Sequence, residues 1–149
     1  MNLRQKILFK IMNFWPPFWG AGIRIDHVSN DFLEVDVSLK LRFWNRNYVG
    51  TAYGGSLYSM TDPFYMLMLI QLLGRGYIVW DKAASIRFKR PGTTKVFAQF
   101  RLTREQVEGY KEELKGKHKI EPVLTVYIKD DEGNVIAEVD KTIYIKKKL

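Results

Sequence analysis

The stretch Asn45–Gly76, NRNYVGTAYGGSLYSMTDPFYMLMLIQLLGRG, sets a glycine pair, Gly54 and Gly55, ahead of a long apolar segment. One carboxylate, Asp62, sits in the middle of that segment with Pro63 directly behind it. Twenty residues, Gly54 to Leu73, rise about 30 Å as a helix, long enough in principle to cross a bilayer. Asp62, Pro63 and Gln71 interrupt the run, however, and a helix buried on most faces inside a folded domain fits better. Such a helix has too little polar surface to lie on an open face. The simplest solution is a sheet wrapped around it.

The flanking sequence supplies that sheet. From Phe32 to Trp44 the chain alternates: Leu33, Val35, Val37, Leu39, Leu41 and Phe43 point one way, and Glu34, Asp36, Ser38, Lys40 and Arg42 the other. Period two over this length predicts a strand with one wet face, and the turn VSND before it predicts a hairpin with Ile23–His27. After the apolar helix, Ala84, Ile86 and Phe88 alternate against Ser85, Arg87 and Lys89, KVFAQFRLT alternates again, and VLTVYIKDDEGNVIAEVDKTIYI reads as a hairpin turning at Asp131 to Asn134. Consecutive strands without crossover helices imply a mainly antiparallel sheet and an α+β class. Thr103 with Gln106 forms a capping box that opens one more, surface helix. No internal repeat or linker divides residues 1–149, which are expected to form a single domain.

Composition narrows the chemistry. The chain carries 24 Lys and Arg against 16 Asp and Glu, a net charge of +8, and this favours an anionic partner. Cys is absent, so disulfides and thiolate metal sites are excluded and a reducing compartment is permitted. His27 and His118 lack ligand spacing and read as solvated surface residues, so no metal site is expected. The opening MNLRQKILFKIMNFWPPFW has no signal-peptide form, and a cytoplasmic location is the expectation. Residues 1–19 read as a short amphipathic helix, with Leu3, Ile7, Leu8 and Ile11 on one face, followed by a proline and aromatic segment; Pro16–Pro17 ends the helix. Packing on the edge of the domain is the preferred reading. Lys6 and Lys10 beside Phe14, Trp15, Phe18 and Trp19 give peripheral membrane contact as the lesser one.

Three segments together resemble the hotdog-fold acyl-CoA thioesterases, and most of all the phenylacetate-type subgroup and a thioesterase-like branch described as tetrameric. NRNYVGTAYGGSLYSMTD is similar to that family's Asn, Gly, His-Gly-Gly and Asp arrangement. KAASIRFKRPG is similar to the strand after its central helix, and PPFWGAGIRI to the opening of the tetrameric branch. The resemblance covers nearly all of the chain. It implies a curved antiparallel sheet wrapped around one long central helix, hydrolysis of acyl-CoA, no separate cofactor, and a homodimer or homotetramer.

Roles follow from the matched positions. Gly55, with Gly54 beside it, would offer helix N-terminal amides to the oxyanion formed when water attacks a thioester; as an alternative, the pair only makes a tight turn. Asp62 would be general base or nucleophile; as an alternative it caps a helix that starts at Pro63. Asn47 would orient water or the thioester, with Asn45 competing for that role and a plain turn asparagine the alternative. Tyr53 stands where the family has histidine, and with a pKa near 10 it cannot shuttle protons near neutrality. Tyr58, with Met66 and Leu69, could line an acyl pocket or be ordinary core. Arg87, Lys89 and Arg90 occupy the place of the family's coenzyme A contacts. Gly55 and Asp62 are seven residues apart, about 10.5 Å along a helix, so one chain cannot bring both to one carbonyl, and a site shared across a dimer is expected. A non-catalytic binder of acyl-CoA or acyl carrier protein is the second functional reading. No glycine–aromatic motif supports a nucleic-acid partner.

Overall fold

A computed structural model describes residues 3–148. Ten residues, Leu3–Met12, form helix α1, and Pro16–Ala21 form α2. Strands β1 (Ile23–Val28) and β2 (Glu34–Leu39) make the expected hairpin. A loop leads to α3 (Gly54–Ser59) and α4 (Phe64–Leu73), and then come β3 (Tyr77–Phe88), β4 (Val96–Arg101), α5 (Arg104–Gly116), β5 (Lys119–Ile120), β6 (Val123–Asp130) and β7 (Val135–Lys147). The strands form one antiparallel sheet in the order β1-β2-β4-β6-β7-β3, with β5 paired to β7. Its inner face carries Val35, Val37 and Leu39 of β2, Val96, Ala98 and Phe100 of β4, and Ala137, Val139, Ile143 and Ile145 of β7, all essentially inaccessible. Phe64, Met68 and Leu69 of α4 fill the space against them, and the Tyr65 hydroxyl donates to the Thr125 carbonyl at 3.0 Å. This is the sheet-around-helix arrangement that the apolar segment demands.

Four local expectations need correction. The central helix spans Gly54 to Leu73 but is broken at Met60–Pro63. The Thr61 and Asp62 amides bond three residues back, to Tyr58 and Ser59; Pro63 has no amide to continue the ladder, and winding resumes when the Leu67 amide bonds the Pro63 carbonyl. Strand β2 stops at Leu39, not Trp44, and Phe43 is exposed. The buried side chain of Asn45 is the reason. Its Oδ1 accepts the Arg42 amide at 2.6 Å, and its Nδ2 donates to the Lys40 and Ala21 carbonyls, both at 2.9 Å. Those bonds fold the chain back under Gly22, whose φ of +76° is left-handed and where a Cβ would stand 2.5 Å from the Lys40 carbonyl oxygen. Pro16–Pro17 do end α1, but they also open α2, since proline is well suited to the first helical turn. Finally, α1 buries Phe9, while Ile7, Leu8 and Ile11 face solvent.

The capping box is present as read: Gln106 N donates to Thr103 Oγ1 at 3.1 Å, and Thr103 N to Gln106 Oε1 at 2.8 Å. His27 and His118 are exposed, and among the described residues no cluster has metal-ligand character. None of the described helices is long and apolar enough to cross a membrane.

Replacing Asn45 by Ala strands a backbone amide and two carbonyls in a buried corner. Denaturant titration should show a loss on the order of 1–3 kcal/mol, and a loss below a few tenths would mean that the loop repacks without this asparagine.

Candidate functional site

The residues singled out from the sequence fall into two places. The first is a cleft of about 420 Å³ where the loop before α3 meets the end of β3, lined by Asn47, Gly54, Leu57, Phe88, Lys89 and Arg90 among others. Tyr53 precedes α3 with extended backbone angles, and its carbonyl accepts the Ser56 and Leu57 amides. The Gly54 and Gly55 amides therefore lie ahead of the helical ladder. Bare backbone is needed here for aromatic neighbours: a Cβ at Gly54 would sit 3.0 Å from the Phe88 ring, and one at Gly55 2.5 Å from the Tyr53 ring. The Asn47 side chain is occupied by its own turn. Its Oδ1 accepts the Val49 and Thr51 amides, and its Nδ2 donates to Thr51 Oγ1 at 2.8 Å. That is the turn-asparagine alternative, and Asn45 likewise serves the backbone.

The cations of this strand divide. Arg87 points to the outer face of the sheet and is clamped by Glu138 at 2.6 Å and Asp140 at 2.7 Å, which raises its already high pKa further. It is therefore tied to carboxylates and does not line the cleft. Lys89 and Arg90 do line it, with Lys89 3.5 Å from Glu138 and Arg90 donating to Asn134 Oδ1 at 3.1 Å. Leu69 is plain core.

Asp62 is elsewhere. Helix α4 starts at Phe64, and no side chain caps it, so the helix-cap alternative does not describe this carboxylate. Asp62 Oδ1 instead lies 3.8 Å from Lys141 Nζ, on β7. The Lys141 side chain is 1% exposed and sits in the inward row Ala137, Val139, Lys141, Ile143, Ile145. Its ammonium is 3.3 Å from Asp81 Oδ1 and 5.2 Å from the centre of the Tyr58 ring. Asp81 reaches this position through a β-bulge. Register with β7 shifts between Asp81 and Ala83, and the extra residue, Lys82, switches the inward set from Tyr77, Val79 and Asp81 to Ala84 and Ile86. In strict alternation Asp81 would share the outer face with Arg87. The ammonium and both Asp81 oxygens are buried and lack a well-aligned hydrogen-bond partner among the described residues. Asp62, by contrast, is 47% exposed, and it connects the buried pair to the surface.

The sequence reading missed Lys141 and Asp81. Lys141 had a signal: it is the one charged residue in the apolar row that alternates through VIAEVDKTIYI. Asp81 had none, because a bulge reverses the face it appears to occupy.

Over residues 4–145 the chain matches the family described as "Domain of unknown function (DUF4442)", and it belongs to that family. Among solved structures it is similar to a protein of unknown function from Pseudomonas aeruginosa named a "Probable Thioesterase", with 20% identity, a TM-score of 0.83 and 99% of each chain covered. It is also similar to a thioesterase from Haemophilus influenzae, with 15% identity, a TM-score of 0.69, and 99% of this chain and 93% of that one covered. A protein of unknown function from Chlorobaculum tepidum shares 18% identity at a TM-score of 0.75, with 97% and 95% covered. No curated protein matches the sequence. At these identities the likeness fixes the fold, which is that of the hotdog thioesterase structures.

Burial pushes the Asp81 carboxyl up to about 6; the neighbouring Asp62 carboxyl adds to the rise and the Lys141 ammonium opposes it. The folded protein thus holds this proton more tightly than the unfolded chain does. The resulting stabilisation is complete below the unfolded pKa, about 4, and is lost as pH rises through about 6. Asp81→Asn fixes the neutral form. Relative to that variant the wild type should lose stability between about pH 4 and about pH 7, on the order of 2 kcal/mol; parallel melting-temperature curves would refute the coupling.

Proposed function

We propose that the protein hydrolyses acyl-CoA thioesters to the free acid and coenzyme A, with Asp62 as the base. The observation that carries this reading is the placement of Asp62. It caps no helix, remains half exposed, and is held beside a fully buried ammonium. In the reaction, the Asp62 carboxylate takes a proton from water as the water oxygen bonds to the thioester carbonyl carbon. The carbonyl electron pair moves onto oxygen and meets the amides at the start of α3. When the pair returns, the C–S bond breaks, and the leaving sulfur takes the proton back from Asp62. Lys141 holds the Asp62 carboxylate in place from 3.8 Å, and Lys89 and Arg90 at the cleft meet coenzyme A phosphates.

Asp62 is not among the residues that line the cleft, so the reading requires the cleft of one chain to meet Asp62 of another. Strand β3 supports such an assembly. It is twelve residues long, ends the sheet, and pairs only with β7 among the described strands. An open edge of that length is a ready template for a second copy. A homodimer or homotetramer is expected from sizing with light scattering. A fully active monomer at micromolar concentration would rule out the shared site.

One observation favours a second reading, a non-catalytic acyl-CoA binder. Tyr53 stands at the position of the histidine in the family that the sequence resembles, and its ring packs where a Cβ on Gly55 would lie. Thiol release and binding, measured on one acyl-CoA panel, separate the two readings. On the best substrate, Asp62→Asn should keep its melting temperature, assembly and acyl-CoA binding while kcat falls at least about a hundredfold. Turnover near normal would remove Asp62 from the chemistry, and binding without any turnover in the wild type would establish the binder.

A further inference from the structure

Helix α1 turns its apolar side chains outward. Ile7, Leu8 and Ile11 are exposed, Ile11 by 60%, and the same winding continues to Phe14, exposed by 79%, and to Trp15. The Phe14 and Trp15 amides bond the Ile11 and Met12 carbonyls, so the turn persists past the end of the helix. Ile7, Ile11 and Phe14 are spaced four and three residues apart and share a face. The helix is nevertheless fixed in this pose. Gln5 donates to Gln71 of α4 at 2.6 Å, and the Asn13 side chain both accepts from the Ile25 amide, at 2.7 Å, and donates to its carbonyl.

A second aromatic group lies alongside. Trp19 is 66% exposed and stacks on Trp44 with centroids 6.4 Å apart, and Phe43, 87% exposed, meets Trp44 edge-on at 4.9 Å. Phe14, Trp19 and Trp44 border a groove of about 870 Å³ whose charged lining is Lys10, Arg24, Lys40, Arg42, Lys95 and a single acid, Asp26. That acid already lies 3.7 Å from Arg24. From Met1 to Ile25 the sequence holds Arg4, Lys6, Lys10 and Arg24 and no acid.

Charge decides what covers this face. A second copy docked about a two-fold axis would set cations against cations, which is strongly unfavourable. A bilayer with anionic lipids offers phosphates to the cations and an acyl boundary to the apolar side chains, and tryptophan prefers that boundary. We propose that the face formed by α1, α2 and the Phe43–Trp44 turn docks the protein on the surface of an anionic lipid bilayer. Ile7, Ile11, Phe14 and Trp19 enter the headgroup boundary, and Lys6, Lys10 and Arg42 meet lipid phosphates. The inference stands apart from the thioesterase reading and uses none of its residues.

The full chain is sedimented with vesicles of equimolar phosphatidylglycerol and phosphatidylcholine and, separately, with pure phosphatidylcholine vesicles. Binding to the first should exceed binding to the second at least about tenfold and should fall as salt rises from about 0.1 to about 0.5 M. Tryptophan emission should shift to the blue only with the anionic vesicles. Lys6→Glu with Lys10→Glu, and separately Ile11→Ser with Trp19→Ser, should each abolish sedimentation while circular dichroism and melting temperature stay unchanged. Soluble glycerophosphate at the same phosphate concentration should not compete. Equal binding to both vesicles, no binding by folded wild type, or full competition by glycerophosphate each overturns the proposal. So does an oligomer that the Ile11→Ser and Trp19→Ser variant dissociates with no vesicle binding in the wild type, since the occupant would then be a second copy.

Discussion

A buried ammonium organises this molecule. Lys141 lies in a row of Ala, Val and Ile side chains that solvent cannot reach, and a lone cation there would be strongly destabilising. Two carboxylates answer it, at 3.3 Å and 3.8 Å, from quite different parts of the chain. Asp81 needs a strand bulge to face inward, and Asp62 needs the interruption between α3 and α4. The two irregularities in otherwise regular elements thus converge on one charge. Replacing such a cluster with apolar residues is often neutral or stabilising, so stability alone is a weak reason for building it. A half-exposed acid held at its rim is a better one.

The glycine pair is explained in the same local way. Gly54 and Gly55 admit the rings of Phe88 and Tyr53, so the turn into α3 is shaped by aromatic packing as well as by its free amides. The Tyr53 ring thus packs beside the turn that carries those amides. Under the hydrolase reading the phenol must move aside or donate its hydrogen bond to the thioester oxygen. Under the binder reading it stays and shields the amides. The acid, by contrast, lies outside the cleft in the same chain.

Much of the fold was legible because alternation and amphipathicity are periodic. The strands containing Val35–Leu39, Val96–Phe100 and Val123–Lys147, the capping box at Thr103 and the turn before Asn134 all follow from such patterns. What escaped was non-periodic. Asn45 ends β2 early by bonding backbone groups distant in sequence, and the bulge at Lys82 exchanges the two faces of β3. Helix α1 shows the converse: the spacing of Ile7, Leu8 and Ile11 marks one face, and the fold leaves those side chains outside. Spacing identifies which residues share a face but not what covers it. Asp62, the glycine pair, Lys89 and Arg90 stand out in the sequence, but the neighbours of Asp62 do not, since Lys141 lies 79 residues away and only the sheet brings it near.

The net charge has a structural distribution as well. On the outer face of β3 and β7, Arg87 and Lys89 are matched by Glu138 and Asp140, and Lys82 by Glu121. These three cations and three acids cancel, so they add nothing to the formal excess of +8. Lys6, Lys10, Lys40, Arg42 and Lys95 form no ion pair with any described residue, and four of them line the groove beside the exposed tryptophans. Unpaired cations beside exposed apolar side chains hold a surface open against self-association and direct it toward negative charge.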